Sequence, residues 1–170
     1  MTREISAEVA ELLRVAEKRL LVQHSDHDGV TILDRGQVEA LIPHRDPFLL
    51  IDRVVDLNLE KGVIVAEFDL RRAENVFAGH FPEYPVYPGV LQIEAIGQVG
   101  IVLYMMKTGE SALANVALTH VLGARFMKPV LPGGSLQIVS QVIEDGLFFT
   151  IVGQCIRDGE ICSVAALSGM

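Results

Sequence analysis

The sequence predicts an α+β fold in which an antiparallel sheet curls around one long buried helix. Three observations point there. From Val90 to Met106 every residue is apolar or small except Gln92, Glu94, Gln98 and Tyr104, so a helix here has almost no face to offer water and must be wrapped. Further on, apolar β-branched runs are separated by Pro132-Gly-Gly134, Asp145-Gly146 and Asp158-Gly159, and the Asp-Gly pairs favour two-residue hairpin turns between long strands. Gly97 and Gly100 fall on one side of the helix, where bare backbone lets another element pack closely.

From the N-terminus, residues 5–22 place Ile5, Val9, Leu12, Leu13, Ala16, Leu20 and Leu21 at helical spacing among charges, an amphipathic helix. Glu4, Glu8, Glu11, Arg14 and Glu17 interrupt any apolar run, so no secretory signal is read here and the expected location is the cytoplasm. His24-Ser-Asp-His27-Asp offers imidazoles and carboxylates to a metal, but with no further Cys or His cluster nearby it reads as a polar linker. Asp34 or Gly36 caps a short helix through Leu41, which ends before Pro43. Phe48 to Leu57 and Val63 to Leu70 read as strands joined by a turn at 58–62, with Asp52 and Arg53 marking an edge or a subunit contact.

Ala78 and Gly79 lead into a Pro-rich loop. Pro88 suits the first helical position, because its missing N–H would have no intrahelical partner there. Read to Lys107, the helix is roughly 30 Å long at about 1.5 Å per residue. It is also the one segment near membrane-span length, and a span carrying Glu94 between strand-like segments is not expected. After a connection at 108–111, Val116 to Val130 resumes strand character, with His120 read as a packed strand histidine. Leu136 to Ile143, Phe148 to Ile156 and Ile161 to Leu167 complete an antiparallel meander. Counting outwards from Asp158-Gly159 sets Arg157 against Glu160, Ile156 against Ile161 and Cys155 against Cys162. The last is a hydrogen-bonded pair, with Cα atoms about 5.5 Å apart. Both are read as reduced core thiols.

The chemistry gathers between Gly79 and Gln98, in GHFPEYPVYPGVLQIEAIGQ. Glu94 lies on the apolar helix, where burial would raise its pKa and let it keep a proton to donate. His80, in the loop before the helix, titrates naturally near neutrality and serves as a base. The N–H groups of Gly89 and Val90 open the helix and are placed to polarise a carbonyl oxygen. Base, acid and oxyanion donors suit removal of a proton α to a carbonyl with loss of a β-hydroxyl. From the residues alone, a loop histidine bound to backbone and a paired structural glutamate describe the same positions equally well.

The stretch GHFPEYPVYPGVLQIEA resembles the signature of the (3R)-hydroxyacyl-acyl-carrier-protein dehydratases of type II fatty acid synthesis. LIPHRDPFLLIDRVVDL, from Leu41 to Leu57, and ARFMKPVLPG, from Ala124 to Gly133, are similar to two further blocks of that family. The resemblance spans 37–170 and implies a hot-dog domain there, preceded by a helical extension and linker at 1–36. It implies His80 and Glu94 as the catalytic pair, meeting across the two-fold axis of a dimer or trimer of dimers. Gly89 would hold the thioester carbonyl and Gln98 would orient Glu94, while Tyr87, Val90 and Phe81 complete the candidate substrate-binding set. No metal or organic cofactor is implied, since the phosphopantetheine arm belongs to the carrier-bound substrate. The chain departs from the pattern at Tyr87, where Met is usual, at Leu122 and Gly123 in place of a polar pair, at Met127 and at Gly134. These departures bear on acyl length and on carrier docking.

At 170 residues the chain fits one domain with a real core. Twenty-two acidic against fourteen basic residues give a net charge of −8, which disfavours nucleic acid as a partner. An acidic carrier protein would need a local basic patch, for which Arg71, Arg72, Arg125 and Lys128 are the candidates. The expected activity is dehydration of (3R)-3-hydroxyacyl-acyl-carrier-protein to the trans-2-enoyl form. The rivals are a dehydratase of a polyketide or aryl-polyene pathway, a non-catalytic acyl-thioester-binding module, and a hot-dog thioesterase.

Overall fold

The computed structural model describes residues 5–22, 30–109, 116–145 and 148–170. The histidine-rich run at 24–28, Gly146 of the 145–146 turn and half of the 108–111 connection lie outside the described residues.

Helix α1, Ala7–Ala16, is capped by Ser6, whose hydroxyl accepts from Val9 N–H, and is shorter than the predicted amphipathic stretch. Helix α2, Arg35–Leu41, begins at Asp34 and not Gly36, because Asp34 and Gln37 form a reciprocal capping box. Strands β1, Arg53–Asn58, and β2, Val63–Asp69, are joined by a turn in which Gly62 takes a φ of 63°. The strand expected from Phe48 starts only at Arg53. The preceding backbone turns away from sheet pairing, and Leu50 N–H donates to the side chain of Gln98.

A 3-10 turn, Leu70–Ala73, and a short helix α3, Glu74–Gly79, occupy the approach to His80, where the sequence suggested only a lead-in. Helix α4, Gly89–Thr108, runs 20 residues; Pro88 is its N-cap, so the helix begins one place later than expected, and Gly109 closes it in the left-handed region. Strands β3, Leu118–Phe126, β4, Ser135–Asp145, β5, Phe148–Arg157, and β6, Glu160–Gly169, complete the described sheet.

The six strands form one antiparallel sheet in the order β1-β2-β4-β5-β6-β3. It curls round α4, the hot-dog arrangement. By length and composition α4 would cross a membrane, yet 61% of that window is buried within this chain. Gly100 and Gly153 set the close approach: a Cβ at Gly100 would stand 2.5 Å from Ile151, and one at Gly153 would stand 2.5 Å from Ile96 and 2.6 Å from the Val139 carbonyl. The inner face of the sheet and α4 share one apolar core running from Ile64 and Ile138 to Ile151 and Leu167.

The outer face is covered too. Val9 and Ala16 of α1 pack with Val152, Val164 and Ala166, and partly buried Leu13 and Leu122 join them. Gln154, wholly buried, donates to the carbonyls of Ala16 and Arg19 and accepts from Leu21 N–H. Leu122 and Gly123, which depart from the family pattern, therefore lie beneath the extension; a Cβ at Gly123 would stand 3.3 Å from Leu13.

The last hairpin keeps Arg157 against Glu160 and Ile156 against Ile161, but a bulge follows and sets Cys155 against Ser163, not Cys162. The extra residue turns Cys162 so that its carbonyl accepts from both Met127 and Lys128 N–H. Both cysteines are free and buried. Asp52 and Arg53 are bound within the chain, Asp52 to Arg35 and to Asp69 N–H and Arg53 to Glu67, at the start of β1, which lies at the edge of the sheet as the sequence suggested. His120 is exposed on β3, its Nδ1 3.0 Å from Thr119 Oγ1; β3 lies at the edge of the sheet, which is why that histidine is not packed.

Candidate active site

His80 follows α3 directly, and its half-buried ring is held by Nδ1, 2.9 Å from the carbonyl oxygen of Val86. A carbonyl only accepts, so Nδ1 carries a proton and Nε2 is the ring nitrogen left to exchange one. Val86 N–H returns a bond to the His80 carbonyl at 2.8 Å, which closes the Pro-rich loop on itself. Phe81 is 54% exposed and stacks on the imidazole with ring centroids 4.1 Å apart.

Glu94 projects from the second turn of α4 with a quarter of its side chain exposed. Gln98, one turn on and wholly buried, donates to Glu94 Oε1 at 2.8 Å. The same amide donates to the Phe48 carbonyl at 2.8 Å and accepts from Leu50 N–H at 2.9 Å, which ties the 48–50 segment to the helix. His44 Nε2 stands 3.5 Å from Glu94 Oε1, and its ring stacks on Phe48. Hydrogen bonding from His44 lowers the Glu94 pKa, burial opposes it, and Gln98 lowers it further, so the net direction is down. This corrects the expectation that burial alone would keep Glu94 protonated: partners outweigh desolvation within the single chain.

His44 was missed as a site residue, although it stands in the Leu41–Leu57 block that carries the resemblance. Only the fold brings that block to Glu94. Among the described residues, no hydrogen bond or ion pair joins His80 to Glu94 within the chain.

Pro88 leaves α4 without a side-chain cap, so Gly89 and Val90 N–H have no side-chain acceptor, and Val90 is 71% exposed. Gly89 also has a packing reason to lack a side chain, since a Cβ there would stand 2.6 Å from the Phe126 ring. Tyr87 is buried, its ring tilted against Phe68 and Phe77, and its N–H bonds the Val130 carbonyl at 2.8 Å. Burial, then the neighbouring Cys155 and Glu94, push its hydroxyl pKa up.

The four candidate basic residues are each engaged in ion pairs, Arg71 with Asp69, Arg72 with Asp46 and Asp52, Arg125 with Glu17 and Lys128 with Glu160. Among the described residues there is no group of His, Cys, Asp and Glu that would hold a metal ion.

The frame is a hot-dog fold, and its candidate groups are the His80 ring, the Glu94 carboxylate and the uncapped start of α4. Residues 42–163 match the model of the FabA-like domain, and the chain belongs to that family. It is 41% identical over 138 residues to the 3-hydroxyacyl-[acyl-carrier-protein] dehydratase FabZ of Xanthomonas euvesicatoria pv. vesicatoria, a match that covers 78% of this chain and 89% of the relative. The FabZ dehydratase of Granulibacter bethesdensis is 38% identical over 146 residues, covering 84% of this chain and 85% of the relative. Among solved structures, the dehydratase heterocomplex ApeI:P of Xenorhabdus doucetiae superimposes with a TM-score of 0.61 at 19% identity, covering 78% of this chain and 88% of that one. A mutant thioesterase from Pseudomonas aeruginosa superimposes with a TM-score of 0.59 at 17% identity, covering 81% of this chain and 93% of that one. Those likenesses establish the hot-dog fold.

Proposed function

We propose that this chain dehydrates (3R)-3-hydroxyacyl-[acyl-carrier-protein] to the trans-2-enoyl thioester and water in fatty acid biosynthesis, in the cytoplasm and without metal or organic cofactor. The observation that carries the reading is the tautomer of His80: Val86 fixes the proton on Nδ1 and leaves Nε2 as a lone-pair base. His80 Nε2 takes the α-proton, the C–O bond at the β-carbon breaks as C=C forms, and Glu94 supplies the proton that releases the hydroxyl as water. Gly89 N–H, with Val90 beside it, receives the negative charge that grows on the thioester oxygen. Gln98 fixes which way the Glu94 carboxyl faces.

The site is completed by a second copy of the chain. Glu94 has His44 and Gln98 as its in-chain partners, and His80 has Val86, which is consistent with His80 meeting the partner's carboxyl across a two-fold axis. Strand β3 supports this, since among the described strands it pairs with β6 alone, leaving its other edge open, and Val121 and Phe126 on it are exposed. Cover from that copy and from the acyl chain adds to the burial contribution at Glu94, which favours the protonated acid. Dimer or trimer of dimers both satisfy this geometry. Carrier contacts at Arg71, Arg72, Arg125 and Lys128 compete with the ion pairs these residues already form.

Complementation tests the reading. His80→Ala and Glu94→Gln each lower turnover by about 10²- to 10⁴-fold. Co-expressed in equal amounts, half the dimers are mixed and each mixed dimer has one intact site, so activity returns to about a quarter of wild type. Confirmed heterodimers without activity would place each pair within one chain. A free acid as product would make the protein a thioesterase.

A further inference from the structure

The loop at 43–48, between α2 and β1, carries a second histidine to the candidate acid. His44 Nε2 stands 3.5 Å from Glu94 Oε1, the outer limit of a hydrogen bond, and the Gln98 amide donates to that same oxygen at 2.8 Å. Among the described residues, every contact to the Glu94 carboxyl falls on Oε1. Oε2 is left open on a side chain that is partly exposed.

The contacts close into a ring of residues. Gln98 bonds both Glu94 and the Phe48 carbonyl, the Phe48 side chain stacks on the His44 ring with centroids 6.4 Å apart, and His44 returns to Glu94. The loop is tied down as well, since Arg45 donates to the carbonyls of Ile42 and His44, and Asp46 pairs with both Arg35 and Arg72. A carboxylate only accepts, so the His44 nitrogen that faces it carries a proton. His44 Nδ1 is buried without a hydrogen-bond partner, so among the described residues Glu94 is the one polar group this ring meets through its nitrogens.

Both donors matter most as the acid acts. When a carboxyl gives up its proton it becomes a carboxylate, and N–H groups already aimed at it stabilise the charge where it forms. Hydrogen bonding from His44 is the largest cause of the lowered Glu94 pKa, the same preference for the ionised form in the resting chain. Donors gathered on one oxygen also set which oxygen turns outward.

We propose that His44 is a positioning residue for Glu94: with Gln98 it holds Oε1, so that Oε2 carries the proton delivered to the leaving β-hydroxyl. This rests on the dehydratase reading and assigns a role within it. His80 takes the α-proton, the C–H electron pair becomes the new C=C bond, the C–O pair leaves with the oxygen, and the Oε2 proton completes the water. His44 keeps its own proton throughout.

Two carrier-linked substrates of equal length separate this role from a structural one. A 3-hydroxyacyl thioester needs a proton to release its oxygen, whereas a 3-chloroacyl thioester loses its α-proton to the same base and releases chloride without one. His44→Phe keeps a ring against Phe48 and removes both nitrogens. It is expected to lower kcat for dehydration about tenfold, the low end for a hydrogen bond to a charged group, with KM unchanged and chloride elimination at the wild-type rate. His44→Gln, which restores an N–H, regains part of the loss on the hydroxyl substrate. Melting temperatures show that each variant is folded, and should His44→Phe not fold, His44→Gln against wild type reads the same contrast between substrates. Equal losses on the two substrates, no loss on the 3-hydroxyacyl thioester, or a raised KM at unchanged kcat would overturn the positioning role and leave the dehydratase reading intact. A wild-type protein that forms no enoyl thioester from any 3-hydroxyacyl carrier would overturn that reading itself.

Discussion

Gln98 is the residue through which the fold and the candidate site are joined, and Gln98→Leu separates its polar role from its volume. The wild-type amide makes three bonds, with Leu50 N–H, the Phe48 carbonyl and Glu94 Oε1. Leucine fills nearly the same space, so little cavity cost arises. Leu50 is buried, and its N–H would lose its acceptor without gaining water, a cost of about 1–3 kcal/mol. Phe48 is 49% exposed and Glu94 is partly exposed, so both rehydrate and forfeit about 0.5–1.5 kcal/mol each. With some return from the more apolar side chain, the expected loss is about 2–4 kcal/mol. Urea unfolding at fixed protein concentration reads this as a lower midpoint with an unchanged m-value. Because Glu94 also loses its orienting donor, kcat/KM falls in protein that is still folded. A stability change under about 0.5 kcal/mol, the range of ordinary surface substitutions, would refute the claim that Gln98 carries the 48–50 segment.

Two further outcomes follow from the same coordinates. Gly153→Ala drives a Cβ into the Val139 carbonyl and Ile96, and overpacking of this kind costs about 1–3 kcal/mol, measured as a lower melting temperature. The lowered Glu94 pKa means the folded state binds that proton less readily than the unfolded chain, so the carboxylate contributes stability above its ordinary value of 4.5 that is lost as pH falls through the lowered folded value. His44→Gln weakens the largest cause of that shift, so its unfolding free energy declines less steeply than the wild type's below about pH 5; an identical slope would deny the His44–Glu94 contact.

The helix, its wrapping sheet and the hairpin turns were legible because each rests on local pattern: an unbroken apolar run, Gly100 beneath Ile151, and Asp158-Gly159 with positive φ at both turn positions. What escaped depends on distant residues. Phe48 to Asp52 has strand composition, yet Leu50 N–H takes the Gln98 side chain as its partner, and no periodicity within the segment records an acceptor 48 positions away. The bulge that sends Cys162 out of register is likewise invisible to counting from the turn, since the Cys162 carbonyl takes the Met127 and Lys128 amides just past the end of β3. The direction of the Glu94 shift failed for the same reason: the sequence showed an apolar helix around it but not His44 facing it.

The departures from the family pattern divide along the sheet, and that division separates architecture from substrate. Leu122 and Gly123 belong to the outer face, where Leu13 of α1 packs on them and Gln154 ties down the end of the helix, so a polar pair there would be buried by this chain's own extension. Arg125 is spent on the same contact, paired with Glu17 at 2.9 Å. None of these touches the interior. Tyr87 turns inward, its buried ring set against Phe68 and Phe77. A methionine there would pack against the same rings without an unpaired hydroxyl and would serve a plain acyl chain. The tyrosine instead places a hydroxyl in the core, without a hydrogen-bond partner among the described residues.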